Sequence, residues 1–374
     1  MRGRRAPQSE GACRVARVSI VVNNYNYGRF LERAIDSALA QDYPDLEVLV
    51  VDDGSTDNSR DLIASFGDRI IPVLKSNGGQ GSAFNAGFDA SSGDIVMFLD
   101  ADDELHPNCA SEVVRAMRPG VSKVHFNLLC VDEVGQPIGP YVKEPLPDGD
   151  QAEELATHGL IVSMPTSGNA FARGYLRKVL PMPAEKWRVS ADVYLHSLSA
   201  FAGRTAALQT PLGLYRVHGL NQSGMLDGRR VNVAAIQRIL EREIETDITL
   251  SRFAPQFGVN YATGALTRSL GHLQQLFFLK KVAPKIGTAQ GSLFSIFWRY
   301  IGSLASSRVR ANKKILIGAW SAGILLAPRP LAEYLMFIAY EQGAAFTTTR
   351  VVISGSGAAR RRSRTATAGA HRPR

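Results

Sequence analysis

Three carboxylates stand together in the segment Asp-Ala-Asp-Asp at residues 100–103, directly after the apolar run at residues 95–99. The apolar run predicts a buried strand, and its carboxyl end is where an open parallel sheet binds ligands. Clustered carboxylates are unfavourable unless a positive charge lies near them. A divalent cation that also binds a diphosphate would supply this charge. The alternative is a solvated acidic turn, or an N-cap for a helix near Pro107.

The spacing within this segment bears on a metal site. Asp100 and Asp102 are two residues apart, so an extended chain would point both side chains the same way and let them share a cation. His218, in the segment Tyr-Arg-Val-His, could complete the metal shell as a neutral imidazole, or it could be a surface histidine. Asp103 has no predicted role beyond capping the following turn.

A second acidic strand end is Asp53, which follows the apolar run at residues 46–51. Its carboxylate could accept hydrogen bonds from a base N–H or a ribose hydroxyl, or it could cap the next helix. Tyr25 follows the first apolar run, at residues 18–22, and its flat ring could stack on a base. The alternative for Tyr25 is a turn built by the neighbouring asparagines.

Two further segments have chemistry that depends on a helix N-terminus. The glycine-rich turn at residues 78–82 precedes a helix, and backbone amides there attract phosphate. It lacks the lysine of a Walker loop and does not follow the first strand, as a dinucleotide fingerprint would. Asp192 precedes an apolar helix and could act as a general base. In the alternative, Ser190 caps that helix and Asp192 favours its positive end.

The elements that would position these residues follow from hydrophobic periodicity. Up to residue 103 we predict strands at 18–22, 46–51, 70–74 and 95–99, and helices at 29–41, 57–66 and 82–90. This alternation predicts a parallel sheet covered on both faces. Beyond it we predict strands at 123–131 and 205–215, helices at 107–117, 175–180, 192–202, 231–250 and 263–281, and a segment at 132–170 that passes over the site.

The apolar stretch at residues 292–345 has an open interpretation. Its longest run without a charge, residues 315–327, is shorter than the roughly 20 residues that a bilayer span needs. The stretch could form buried helices of a small bundle. It could also form helices that lie on a membrane surface, because it is rich in aromatic residues flanked by Lys and Arg.

Charge is concentrated at the two ends of the chain. The net charge is +9, and residues 1–17 and 350–374 carry +4 and +7, which leaves −2 for residues 18–349. The basic signal therefore belongs to tails that we predict to be disordered, and no specific nucleic-acid partner is expected. The three cysteines lack metal spacing and fit a reducing compartment. No apolar segment precedes Val15, so we predict no secretory signal.

Taken together, these segments resemble the inverting glycosyltransferases of family 2, which have an A-type glycosyltransferase fold. Residues 18–59 and 77–103 are similar to the opening of that family in order and spacing, and the resemblance covers about residues 16–220. It implies a Rossmann-like, mostly parallel nucleotide-diphospho-sugar transferase sheet with helices on both faces, followed by a helical C-terminal region. The implied domains are a basic tail at 1–15, a catalytic domain at 16–225, a helical region at 226–349 and an Arg-rich tail at 350–374.

The resemblance also implies roles for individual residues. Asp192 would be the catalytic base, and Asp102 and His218 would bind Mn²⁺ or Mg²⁺. The nucleotide-sugar donor would be bound by Asn23, Tyr25, Asp53, Asn77, Gly78 and Asp100. The family often has Glu-Asp at the base, where this chain has Ala191 followed by Asp192.

The implied function is metal-dependent transfer of one sugar from a nucleotide-diphosphate sugar to an acceptor hydroxyl, with inversion, in cell-surface glycan or glycolipid synthesis. The chain lacks the Gln-x-x-Arg-Trp segment of processive synthases, so we expect one sugar per encounter. The acceptor would be a glycan or a lipid-linked molecule. The protein would be cytoplasmic, or peripheral on the anionic cytoplasmic face of the cell membrane. The alternative is a non-catalytic protein of the same fold that binds nucleotide sugars or scaffolds a membrane.

Overall fold

The computed structural model describes residues 16–159, 161–218, 226–227, 230–285, 291–307 and 309–341. The tails predicted at 1–15 and 350–374 lie outside these ranges, as does the predicted domain boundary at residue 225.

The first part of the chain alternates strands and helices, as predicted. Its elements are β1 Val18–Asn24, α1 Gly28–Leu39, β2 Leu46–Asp52, α2 Ser59–Ser65, β3 Ile71–Leu74, α3 Gln80–Ala90 and β4 Ile95–Asp100. The strands β1, β2 and β4 are buried almost throughout, which explains their continuous apolar runs. Helix α1 buries Leu31, Ile35 and Ala38 at helical spacing and so covers one face of the sheet.

The middle of the chain is more irregular. Its elements are β5 Glu104–Leu105, α4 Cys109–Ala116, β6 Val121–Phe126, β7 Leu129–Val131, β8 Pro137–Pro140, α5 Ala152–His158, β9 Asn169–Ala172, α6 Arg173–Val179, α7 Ala191–Ala202, β10 Arg204–Leu208 and β11 Gly213–Arg216. The single strands predicted at 123–131 and 205–215 were wrong, because each is two strands that belong to different sheets. Asn127 explains the first break: its side-chain Oδ1 accepts from the backbone amides of Leu128 and Val142 at 2.9 and 3.2 Å, and such local bonds compete with a strand ladder.

Seven strands form the main sheet in the order β10-β6-β9-β4-β1-β2-β3. Strand β9 is antiparallel to both of its neighbours, and the other pairs are parallel, so the predicted mostly parallel sheet is confirmed. The register pairs Asn23 with Asp100 and Asn24 with Asp52. The polar ends of β1, β2 and β4 therefore meet at one edge of the sheet. A second sheet has the order β5-β11-β7-β8. All four of its strands follow β4 in the sequence.

The C-terminal part is helical. It consists of β12 Leu226–Asp227, β13 Arg230–Val231, α8 Val233–Phe253, α9 Leu270–Val282, α10 Leu293–Ser306, α11 Ala311–Leu326 and α12 Arg329–Glu341. Helix α9 is buried on nearly every side. Around it, side chains from α8, α10, α11 and α12 form a third hydrophobic core, which includes Phe277, Tyr300 and Ile324. A small helical bundle therefore exists, as one of the two interpretations predicted.

The same bundle exposes large apolar side chains on its outer helices. Phe294 and Trp298 on α10 are 61% and 55% exposed, and Ile315 and Leu316 on α11 are more than 60% exposed. Among the residues that the structure describes, no helix combines the length and apolarity needed to cross a bilayer.

Candidate active site

A cavity of about 1450 Å³ opens above the carboxyl ends of β1, β2 and β4. Its other walls are the segment at residues 161–166 and the helices α7 and α8. Ligand sites for a single small molecule usually measure about 300–1,000 Å³. The cavity is therefore larger than a site for one small molecule usually is.

Most of the residues predicted for the site line this cavity. They are Asn23, Tyr25, Asp53, Asn77, Asp100, Asp102 and Asp192. Gly78 and His218 are not in the lining. His218 lies directly behind Asp102, with its side chain fully buried.

The acidic end of β4 carries a strong negative potential. Burial, followed by the charges of Asp102 and Asp192, raises the pKa of Asp100 to about 8, although hydrogen bonds from Thr166 and Gln80 lower it. Burial, followed by the charges of Asp102 and Asp100, raises the pKa of Tyr27 to about 12. A site with these shifts favours a cation, because a positive charge would relieve the repulsion between the carboxylates.

Asp102 and His218 make a close pair. The Nε2 atom of His218 lies 2.9 Å from Oδ2 of Asp102, and the imidazole packs against the rings of Tyr27 and Phe30 at centroid distances of 5.6 and 5.2 Å. Two ligands of one octahedral cation, each bonded at about 2.1 Å, are separated by about 3.0 Å along an edge. The separation in this pair is that of a hydrogen bond, and it is also close to the spacing of adjacent ligands of one Mg²⁺ or Mn²⁺.

The described residues contain no group of three or more His, Cys, Asp or Glu side chains arranged to hold a metal by themselves. This is compatible with a cation that bridges to phosphate, because Mg²⁺ is usually bound through one or two carboxylates together with substrate oxygens and water. The donors that fit such an ion are Asp100, Asp102 and His218.

Asp103 is a structural residue rather than a cap for the following turn. It is 1% exposed, and its carboxylate accepts from Ser167 Oγ at 2.6 Å and from the backbone amide of Arg216 at 2.9 Å. It thus ties the end of β4 to the short helix Thr166–Gly168 and to β11. The position of His218, two residues after β11, depends on this link.

Asp53 serves the glycine-rich turn in this structure. Its Oδ1 accepts from the amide of Gly78 at 2.9 Å and pairs with the ammonium of Lys75, and its Oδ2 accepts from the amide of Gly79 at 2.7 Å. The amides of Gln80 and Gly81 donate to the carbonyls of residues 188 and 187, each at 2.9 Å. The backbone of the turn is therefore already hydrogen-bonded, and the predicted role of these amides in binding phosphate does not fit the geometry.

The nucleotide side of the cavity retains open groups. Tyr25 is 46% exposed, so its ring is available for stacking. The Oδ1 atom of Asn23 is buried without a hydrogen-bond partner, which favours a ligand donor at that point. Asn26 has a left-handed backbone, with φ of 59°, and its Oδ1 accepts from the amide of Thr56 at 2.7 Å. The asparagine turn therefore exists and also presents Tyr25 to the cavity.

Asp192 lies in the first turn of α7 and faces the cavity. Burial raises its pKa to about 6, against backbone hydrogen bonds and the charge of Arg242, which lower it. A carboxylate with such a pKa is ionised near neutral pH and basic enough to accept a proton. Ser190 does not cap α7, since it has a left-handed φ of 56° and makes no capping bond. The amide of Ala191 is capped instead by Oε1 of Gln80 at 2.8 Å.

Two residues of the site had no signal in local sequence. Gln80 connects the glycine-rich turn with α7 and also donates from Nε2 to Thr166 Oγ1 at 3.2 Å. Arg242 reaches the cavity from α8, where it stacks over the ring of Trp187 at 4.4 Å and donates to the carbonyl of Lys186 at 2.9 Å. Their partners are distant in sequence, so only the folded chain could identify them.

The chain is similar in sequence to known proteins. Residues 19–178 match the family model described as Glycosyl transferase family 2. An uncharacterized glycosyltransferase of Nostoc sp. is 41% identical over 216 residues, which cover 55% of this chain and 66% of that protein. A Campylobacter jejuni protein named GalNAc(5)-diNAcBac-PP-undecaprenol beta-1,3-glucosyltransferase is 36% identical over 122 residues, 31% of this chain and 40% of that protein. The chain thus matches less than two thirds of the length of either relative.

A solved structure shares the fold. Residues 1–349 of S. aureus TarS superpose with a TM-score of 0.52 at 14% identity, over 87% of this chain and 92% of that one. This likeness supports the A-type transferase fold.

Proposed function

Because the chain belongs to glycosyltransferase family 2 through residues 19–178, we propose that it transfers one sugar from a nucleotide-diphosphate sugar to an acceptor hydroxyl, with inversion and with the help of a divalent cation. The observation that carries the proposal is the meeting of Asp100, Asp102 and Asp192 in one cavity. A donor site and a general base are then within one enclosed volume.

The donor would occupy the side of the cavity at the ends of β1, β2 and β4. Tyr25 would stack on the base, and the unpartnered Oδ1 of Asn23 would accept from the base or the ribose. Asp53 and Asn77 border the same side. Asp100 and Asp102, with His218 beside them, would hold Mn²⁺ or Mg²⁺. When bound, this cation stabilises the negative charge that develops on the departing nucleoside diphosphate.

The acceptor would enter from the side of α7 and α8. Asp192 takes the proton from the acceptor hydroxyl while that oxygen attacks the anomeric carbon, and the bond from this carbon to the diphosphate breaks. Attack from the face opposite the leaving group inverts the anomeric centre. Gln80 holds the start of α7 through the amide of Ala191, so it fixes the base relative to the donor.

Replacing Asp192 with Asn tests the proposal. The variant keeps the shape of the side chain but cannot accept the proton, so transfer should fall by about 10²- to 10⁴-fold. The assay is the release of nucleoside diphosphate from a panel of nucleotide sugars with Mn²⁺ and candidate acceptors, and NMR of the product's anomeric proton reports inversion or retention.

Glu185→Gln is the matched control, because Glu185 is an exposed carboxylate on the rim of the same cavity. Its transfer rate should match the wild type. Full transfer by Asp192→Asn would remove Asp192 as the base. If the wild-type chain binds nucleoside diphosphates and transfers no sugar, the non-catalytic alternative is favoured.

The exposed apolar face of the C-terminal helices bears on where the acceptor is found. We propose that the outer helices α10 and α11 rest on an anionic membrane, where a lipid-linked acceptor would be found. Phe294 and Trp298 are exposed one helical turn apart with their rings in contact, and exposed Arg299 and Lys313 flank the apolar face. Aromatic side chains with basic neighbours favour the interface of anionic lipids. The Campylobacter relative has a name that specifies an undecaprenol-linked substrate.

Flotation of the full chain with vesicles tests this surface. The double variant Phe294→Ser, Trp298→Ser should lose most of its binding to vesicles that contain anionic lipid. Ile248→Ser is the control, because Ile248 is an apolar residue on α8 with 50% exposure. Equal flotation of the double variant and the wild type would rule out this surface.

A further inference from the structure

The donor side of the cavity has an excess of negative charge. Asp100 and Asp102 lie there, and a bound nucleotide sugar would add the charges of its diphosphate. One divalent cation offsets only part of this total. The site therefore needs further positive charge or hydrogen-bond donors directed at the phosphate oxygens.

The backbone of the glycine-rich turn cannot supply these donors. The amides of Gly78 and Gly79 donate to Asp53, and the next two amides donate to carbonyls of the loop before α7. Lys75 is paired with Asp53 as well. The donor for the phosphates must therefore be a side chain that faces the cavity.

Arg188 has the position that this requirement demands. It lines the cavity beside Asn77 and Gly79, and one guanidinium nitrogen donates to Oδ1 of Asn77 at 2.7 Å. The guanidinium is exposed to the cavity, and among the described residues it has no carboxylate partner within 4 Å. An arginine fork retains several N–H groups after one hydrogen bond, and its planar geometry matches phosphate oxygens.

The backbone of Arg188 is fixed against the turn. Its carbonyl accepts from the amide of Gln80 at 2.9 Å. Gly79 has a φ of +84°, and a Cβ at that position would lie 2.7 Å from the Cα of Arg188. This close approach requires glycine and sets the guanidinium at the entrance of the donor side.

The other positively charged side chains in the cavity lining already have partners or lie away from the donor side. Lys186 pairs with Glu245 at 3.0 Å. Arg242 is held by Trp187 and by the carbonyl of Lys186. Arg238 lies on α8, which borders the acceptor side of the cavity.

We propose that Arg188 is the side chain that binds the diphosphate of the sugar donor, and that Asn77 holds its guanidinium ready for this contact. The inference rests on the proposed function, since it assigns a residue to the diphosphate of the same donor. It gives the loop before α7 two tasks, because the loop carries the phosphate ligand and leads directly to the base Asp192. Donor binding and the position of the base are thereby linked through a few residues of chain.

Calorimetric titration of the full chain with UDP, GDP and dTDP in the presence of Mn²⁺ tests the inference. For the diphosphate that the wild type binds, Arg188→Gln should weaken binding by about 10- to 100-fold, because a hydrogen bond to a charged group contributes this much. Binding of the matching nucleoside, which has no phosphate, should be unchanged when followed by NMR. Arg188→Lys keeps the charge without the fork and should lose less than Arg188→Gln.

Arg238→Gln is the matched control and should bind the diphosphate like the wild type. Unchanged diphosphate affinity in Arg188→Gln, or an equal loss for the nucleoside, would overturn the role of Arg188 and leave the proposed function standing. A wild-type chain that binds none of the three diphosphates would instead refute the proposed function. Because Arg188 is exposed, Arg188→Gln and Arg188→Lys should both keep the wild-type melting temperature.

Discussion

The rate of sugar transfer should depend on pH through Asp192. Burial raises the pKa of this carboxyl to about 6, and the base must be ionised to accept a proton. The ionised fraction is about one half at pH 6 and about one tenth at pH 5, whereas an aspartate with the usual pKa near 3.9 would remain mostly ionised at both. The value of kcat/KM should therefore fall about tenfold between neutral pH and pH 5.

A substitution of Arg242 should move the pH midpoint of this fall in kcat/KM. The positive charge of Arg242 favours the ionised form of Asp192 and lowers its pKa. Arg242→Gln removes that charge, so the pKa should rise and the acidic limb of the profile should move to higher pH. We expect about 0.5–1 unit, less than the 1–3 units of a direct ion pair. Activity at pH 6 should fall accordingly, and activity at pH 8 should change little.

The assay is initial-rate release of nucleoside diphosphate between pH 4.5 and 8.5, at constant free Mn²⁺ and with substrate below KM. Under these conditions the profile reports groups of the free enzyme. Arg238→Gln, on the same helix, is the control and should keep the wild-type midpoint. A wild-type profile that stays flat down to pH 4.5 would refute the argument, as would equal shifts in the two arginine variants.

Three other outcomes follow from the structure. Lys123 is completely buried, and burial lowers its pKa from 10.5 to about 7. Lys123→Met should therefore raise the free energy of unfolding in urea by about 2–4 kcal/mol at pH 6, within a limit of about 5 kcal/mol set by the shift. The gain should be much smaller near pH 10, where the folded lysine is neutral and the unfolded one begins to lose its proton, and no gain at pH 6 would contradict this. Asp102→Asn and His218→Gln should each weaken Mn²⁺ binding, measured by calorimetry with the nucleoside diphosphate present, by about 10- to 100-fold, and unchanged affinity in both would argue against a metal at this pair. Gly79→Ala should lower the melting temperature and weaken nucleotide binding, because its Cβ would collide with the Cα of Arg188, and a fully stable variant would show that the turn can move.

Much of the site was predictable because its residues follow strand ends. The polar residues after β1, β2 and β4 are visible as breaks in apolar runs, and parallel strands bring such ends to one edge. Asp53, Asp100 and Asp102 were therefore predicted for one site, whereas Asp192, which precedes a helix, was assigned to it by the family resemblance; the structure lines one cavity with all four. The interrupted strands at 123–131 and 205–215 were predicted as single strands, because apolar periodicity does not reveal a change of sheet at Asn127.

The chain by itself determines the alternating strands and helices, the acidic strand ends and the apolar C-terminal helices, because these are local patterns of residue type and spacing. Only the tertiary structure decided how the hydrogen bonds are distributed. It assigns the amides of the glycine-rich turn to Asp53, caps α7 with Gln80 from 111 residues away, buries Asp103 against Arg216 and brings Arg242 from α8 into the cavity. Each of these contacts joins segments that are distant in sequence, and the burial that raises the pKa of Asp100 and Asp192 exists only once those segments are packed together.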